Sequence, residues 1–248
     1  MKEKGILVEN LIITLTHRCN MNCDHCLRGP SENVDIPYHV IDKILTQIDN
    51  IYDIVFTGGE PMLNTEAMRY IFNRLIELKK EPSRIWFATN GTIFDMEFIF
   101  DFVDFVLNHT IDAFDDLENG IGSTIAVSQD PYHDNIKYLD KWKLFRFVTD
   151  DKNWSVNHMN EDGVIRKGNA EINGIGKPRK MRRDLYIDDY DDYYDIETLV
   201  IDVNGDILAD CDFAYDEVEE YSLGNIKEAP LIKIIENNLR EQEEQNEA

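Results

Sequence analysis

Basic side chains are scarce in this sequence: 25 Lys and Arg stand against 49 Asp and Glu in 248 residues, a net charge of −24. So acidic a surface repels nucleic-acid phosphates and anionic lipid heads, which argues against a DNA, RNA or membrane-surface role. It reads first as a solvated coat that keeps the protein soluble. Long apolar runs are missing as well, since none approaches the roughly 18 residues that cross a bilayer. The N-terminus, "MKEKGILVEN", shows neither the apolar core nor the cleavage site of a secretion signal, so a cytoplasmic location is expected. Cysteine is rarer still, at four residues. In a reducing compartment those four are not expected to form stable disulfides.

What is present is enough apolar material, 43% of the chain, for one sizeable core. Short β-rich runs alternate with helical ones. "LIITLT" (11–16), "DIVFT" (53–57), "RIWFAT" (84–89), "STIAVS" (123–128), "LFRFVT" (144–149) and "LVIDV" (199–203) read as six strands. Helices are predicted over 37–48, 65–79 and from 95 onward, where "FVDFVLN" fits either a helix end or a strand. Strands separated by helices imply parallel β–α units. Six are too few for a closed eight-stranded barrel, so the expected fold is α/β, a partial (β/α)6 TIM-like barrel with a short C-terminal hairpin-helix extension. "NGD" (204–206) predicts the hairpin turn, and a last helix from Pro230 is expected to fray into "EQEEQNEA".

Three of the four cysteines fall in one stretch of eight residues, "CNMNCDHC" (19–26). A structural zinc site wants four ligands, which here would need Cys211 and His17 or His25. A disulfide would leave one thiol over. An iron–sulfur cubane fits the count directly: thiolates hold iron well, and three cysteines can wrap one face of a cluster. The remaining iron is then open to a small molecule. The stretch also follows a strand, whose C-terminal end is where barrel active sites form.

"CNMNCDHC" resembles the C-x3-C-x2-C signature of the radical S-adenosylmethionine (radical SAM) enzymes. The resemblance implies that Cys19, Cys23 and Cys26 hold a 4Fe–4S cluster whose open iron binds S-adenosylmethionine, and that a 5′-deoxyadenosyl radical is generated. "TGGEP" (57–61) resembles the family's second-strand motif, which places Gly58, Gly59 and Glu60 at the cofactor's amino group; taken alone it is a strand-ending turn. "ATNGT" (88–92) and "VSQDP" (127–131) resemble the third- and fourth-strand motifs, adding Asn90, Ser128 and Asp130 as cofactor contacts. His25 stands where the family has an aromatic residue beside the cofactor, and keeps a flat ring there. His133, a surface histidine or a substrate-side acid–base, follows in the same loop.

Residues 1–150 read as the radical SAM core and 151–248 as the sixth strand with an extension and acidic tail. "VNGDILADCDFAYDEVEEYSLGNIKE" (203–228) resembles the SPASM/twitch-like extension of peptide- and protein-modifying relatives, with Leu223-Gly224-Asn225-Ile226 after a cysteine-ended hairpin. The cysteines that hold auxiliary clusters in those relatives are reduced here to Cys211, which reads as a small packing residue or a substrate-side thiol. "KGNA" (167–170) echoes a Gly-x-Ala element that often precedes the hairpin. Seven Lys or Arg lie between Arg166 and Arg183, either a solvated face paired with the acidic run after it or a patch for an anionic group.

The expected function is hydrogen abstraction from a peptide or protein substrate, with an external flavodoxin- or ferredoxin-like electron donor. Alternatives are a small-molecule enzyme acting on a nucleoside or sugar, a glycyl-radical activase, and a non-catalytic iron–sulfur protein.

Overall fold

The structure, a computed structural model, describes residues 4–111, 125–128, 139–142 and 164–247. The predicted strand at 144–149, the cofactor-loop residue Asp130 and His133 lie outside those residues.

Strand β1 (Gly5–Thr16) is longer than its apolar core of 11–16, because "GILVEN" already alternates buried and half-exposed positions. Helix α1 (Tyr38–Gln47) buries Val40, Ile41, Ile44 and Leu45 on one stripe. Strand β2 (Asn50–Gly58) and helix α2 (Thr65–Leu78) follow, then β3 (Arg84–Thr89) and α3 (Met96–His109). Asp95 caps α3 by accepting from the Phe98 N–H at 3.1 Å, and the ambiguous "FVDFVLN" is helix. Phe72, Phe98, Phe102 and Phe105 of α2 and α3 pack ring against ring, sealing that side of the sheet. Strand β4 (Ile125–Val127) and the short α4 (Leu139–Trp142) complete the first part.

Beyond it come α5 (Asn169–Ile172), β5 (Ile187–Asp189), β6 (Tyr193–Ile201), β7 (Asp206–Leu208), α6 (Val218–Tyr221), β8 (Gly224–Asn225) and α7 (Leu231–Glu247). One sheet runs β4-β3-β2-β1-β6-β7-β8, with β5 paired to β6; β1 to β4 and β6 are parallel, and among the described residues the sheet is not closed. The fold is therefore the expected α/β partial barrel. The strand read as sixth lies beside β1, from Gly5↔Tyr193 to Ile13↔Ile201, instead of extending the sheet beyond β4. It also begins inside the acidic run, because Tyr194 and Ile196 alternate inward between exposed or half-exposed acids. The "NGD" hairpin joins β6 to β7, pairing Val200↔Leu208.

The last helix departs from the expectation of a frayed end. It continues to Glu247, and its middle is tied down: Asn238 Oδ1 accepts from the Leu185 N–H (3.0 Å) and the Gln242 amide donates to the Leu185 carbonyl (3.1 Å). Among the described residues no helix is long and apolar enough to cross a membrane.

Candidate metal centre

Parallel strands deliver four chain segments to one rim of the sheet. Strand β1 leads into His17-Arg18-Cys19, β2 ends at Gly58, β3 at Thr89-Asn90 and β4 at Ser128. The glycine pair after β2 is demanded by packing. Gly58 has φ of +149°, and a Cβ there would lie 2.3 Å from the Thr16 carbonyl; one on Gly59 would lie 2.3 Å from the Arg18 carbonyl and 3.0 Å from Cys19 Cβ. The close approach these glycines permit is thus to the backbone that carries the first cysteine. The Gly59 and Glu60 N–H groups donate to the Thr16 and Arg18 carbonyls at 2.9 and 2.8 Å.

Glu60, 1% exposed, binds the rim together. Its Oε1 accepts from the Met62 N–H (2.9 Å) and the Thr89 hydroxyl (2.7 Å), and its Oε2 from the Asn90 N–H (2.8 Å). The carboxylate links the ends of β2 and β3. Asn90 then reaches across to the cysteine loop: its amide donates to Asn20 Oδ1 (2.9 Å) and sits 4.0 Å from Cys19 Sγ. Thr92 completes the circuit, donating to Asn90 Oδ1 and accepting from the Asn20 amide. Ser128 is buried, with its N–H on the Thr89 carbonyl at 2.9 Å, and His25 is buried within the loop.

All three loop cysteines are half-buried and outside any disulfide. Burial pushes the Cys19 thiol up to about 11, and the charges of Glu60, Cys23 and Cys26 add to this against an opposing Met21 N–H. A bare thiol there keeps its proton at neutral pH, so metal binding must displace it. Among the described residues, the ligand groups close enough to share one ion, within 4.8 Å of one another, are Asp210, Cys211 and Asp212. The loop thiols do not form such a set. Around a tetrahedral zinc, with Zn–S bonds of about 2.3 Å, they would. Three soft donors on one loop fit a cluster of several irons.

His17, weighed above as a zinc ligand, is occupied otherwise. Its Nδ1 lies 2.8 Å from Glu32 and its Nε2 2.8 Å from the fully buried Asp202. Burial works against a charge on the imidazole, but the Asp202 and Glu32 carboxylates outweigh it and raise the pKa. The pair ties the end of β1 to the β6–β7 hairpin.

Sequence reasoning overlooked how much the C-terminal third holds the loop in place. Asn169 donates its N–H to the Cys26 carbonyl (2.9 Å) and its amide to the Cys23 carbonyl (3.1 Å), and the Asn173 amide donates to Asp24 O (3.1 Å). Gly168, at φ +54°, passes so close that a Cβ would lie 2.4 Å from Gly29 N. The only signal of this was the "KGNA" echo. Arg28, just past Cys26, donates to the Phe213 carbonyl (2.9 Å) and stacks on its ring, while the Tyr215 N–H donates to Arg28 O (3.0 Å).

Cys211 is half-buried and packs beside a small cluster of Met181, Val200, Leu208 and Phe213. Burial and the neighbouring Asp212 raise its pKa. The basic stretch is largely neutralised, though mainly by the hairpin that follows. Arg179 pairs with Asp212, Lys167 with Glu217 (2.7 Å) and Arg183 with Glu220 (2.5 Å), while Arg182 lies 3.9 Å from Glu197 of the adjacent acidic run. That arrangement favours a paired face over an anion patch.

Comparison with known proteins accords with this geometry. A profile of the Radical SAM superfamily matches residues 13–143, more than half of the chain. An uncharacterized protein of Methanocaldococcus jannaschii is 41% identical over 68 residues, 26% of this chain and 23% of that one. GTP 3′,8-cyclase of Microcystis aeruginosa is 30% identical over 97 residues, 36% of this chain and 29% of that one. The matched stretches thus span less than a third of either relative. The structure of polyhistidine-tagged anSMEcpe with bound AdoMet superposes with a TM-score of 0.55 at 13% identity, covering 94% of this chain and 82% of that one. Native anSMEcpe with bound AdoMet and Cp18Cys peptide gives 0.51 at the same identity and coverage. At such identity the likeness is one of fold.

Proposed function

The chain belongs to the radical SAM superfamily, whose cofactors are a 4Fe–4S cluster and S-adenosylmethionine, and on that premise we propose that Cys19, Cys23 and Cys26 hold the cluster. The observation that carries this assignment is the circuit from Glu60 through Asn90 to the cysteine loop, which fixes three motifs on one rim. Gly58, Gly59, Glu60, Asn90, Ser128, Asp130 and His25 are proposed to surround the cofactor. When bound, the reduced cluster supplies the electron that cleaves S-adenosylmethionine and so generates a radical able to take hydrogen from an unactivated carbon.

The chain's own part is to position and to shield. Glu60 and Asn90 hold the second and third strand ends at fixed distance from Cys19. Asn169 fixes the carbonyls of Cys23 and Cys26, which leaves the loop little freedom to reorganise when iron enters. Residues 151–248 are proposed to act as a shortened SPASM/twitch-like extension without auxiliary-cluster ligands, of which Gly168, Asn169 and Asn173 pack against the cysteine loop.

A peptide or protein is the proposed substrate, supported by the likeness of the hairpin and of Leu223-Gly224-Asn225-Ile226 to peptide modifiers and by the peptide complex of anSMEcpe. The stretch shared with GTP 3′,8-cyclase favours a second reading, a nucleotide-sized substrate. A flavodoxin- or ferredoxin-like donor and a cytoplasmic setting complete the proposal. The test is anaerobic: reconstituted protein, dithionite and S-adenosylmethionine are expected to yield 5′-deoxyadenosine and methionine, slowly without substrate. Peptides encoded beside the gene should accelerate that yield at least tenfold, and GTP should not. Acceleration by GTP alone would transfer the assignment to the second reading.

A further inference from the structure

Tyr215 is a feature of this rim that the proposed function does not absorb. It follows β7 in the C-terminal third, and its side chain is 9% exposed. The ring stacks on His17 with centroids 3.7 Å apart and planes at 15°. His17 is itself fixed by Glu32 and Asp202, and the Tyr215 N–H is fixed on Arg28 O, two residues past Cys26. The ring is therefore held from both sides, yet its hydroxyl has no hydrogen-bond partner among the described residues. A buried hydroxyl without a partner costs roughly 1–3 kcal/mol, which calls for an explanation.

The surroundings of that hydroxyl narrow the choice. Burial pushes its pKa up; Arg28 opposes the shift, and Cys26, Asp202 and Cys19 add to it. Tyr215 also touches both ends of the cysteine loop, its ring stacking on His17 two residues before Cys19 while its N–H donates to Arg28 O two residues after Cys26. The Asp202 carboxylate has an acceptor to offer, but its Oδ2 is likewise without a partner, so the hydroxyl is not turned to it. The cysteine loop, held at both ends by the residues that Tyr215 touches, is then the neighbour left to supply an acceptor.

Resting on the cluster assignment above, we propose that the Tyr215 hydroxyl donates a hydrogen bond to a sulfur of the bound cluster, either a sulfide or a cysteine thiolate, and thereby raises its reduction potential. Hydrogen bonds to sulfur stabilise the more negative, reduced state. Tyr215 acts here as a tuning residue placed by the C-terminal third. Such a donor would help a strongly acidic protein, whose net charge of −24 works against adding an electron.

Tyr215→Phe keeps the ring on His17 and removes only the donor. In the reconstituted full chain, iron content and melting temperature should match wild type, while the midpoint potential, followed by the EPR signal of the reduced cluster, should shift negative. A merely structural role would leave that potential unmoved. As a measurement independent of the variant, wild type reconstituted in D2O should show an exchangeable deuteron coupled to the cluster. An unchanged potential in Tyr215→Phe, or no such deuteron in wild type, overturns the inference while leaving the cluster assignment standing. A wild-type chain that takes up no iron overturns both.

Discussion

Changing Cys19, Cys23 and Cys26 together to alanine is expected to abolish iron binding, while Cys211→Ala leaves it at the wild-type level. The chain holds four cysteines, so once the loop triplet is committed a single thiolate remains. Cys211 sits with Asp210 and Asp212, but Asp210 already accepts from the Arg182 and Asp212 N–H groups and Asp212 pairs with Arg179. Reconstituted wild type should therefore carry about four iron and four sulfide per chain, one cubane. Colorimetric iron and sulfide analysis decides it. Iron that survives in the triple variant would reveal a second cluster and contradict the reading of the extension as free of auxiliary ligands.

Glu60→Ala is expected to cost about 3–5 kcal/mol of stability, the largest effect of any single substitution on the rim. The carboxylate is buried and takes donors from Met62, Thr89 and Asn90, and removing it strands all three. Each orphaned buried donor costs roughly 1–3 kcal/mol, with less than full additivity among neighbours. Urea unfolding of the metal-free chain reads the loss without interference from the cluster. Glu60→Gln retains an acceptor oxygen and should recover part of it. A loss below about 1 kcal/mol in the alanine variant would mean that water replaces the carboxylate, and that the rim does not depend on it.

The site was legible in the sequence where its chemistry is local. Cysteine spacing, the glycine pair after β2 and the Asn-Gly after β3 each sit at the end of a run whose apolar pattern marks a strand, and the structure brings those ends together. What a local pattern could not carry is the reason for some of those residues. Gly58 and Gly59 read as permitting a ligand's approach, and the structure adds a second demand that no motif carries, room for the backbone of Thr16 and Arg18. The hydrogen bonds of Asn169 and Tyr215 with the cysteine loop and its end span 143 to 187 positions of sequence, and no periodicity encodes such pairs. Charge hid a further element. The acidic run from 184 reads as a charge partner for the basic stretch before it, yet β5 forms and β6 begins within it, because a strand needs only alternate positions apolar and Tyr194 and Ile196 supply them. Nor could the sequence place β6 beside β1, since strand order is set by how the intervening chain crosses the sheet.

The claim on which the rest depends is that the cysteine loop holds a cluster with one iron open to S-adenosylmethionine. The most direct measurement is the EPR spectrum of the reduced, reconstituted chain before and after the cofactor is added. The account predicts a changed spectrum on addition, in wild type and in Cys211→Ala alike, since the cofactor reaches the iron that no cysteine of this chain occupies. An intact reduced cluster whose spectrum ignores S-adenosylmethionine, with the cofactor recovered whole, would contradict it and leave an iron–sulfur protein of another kind.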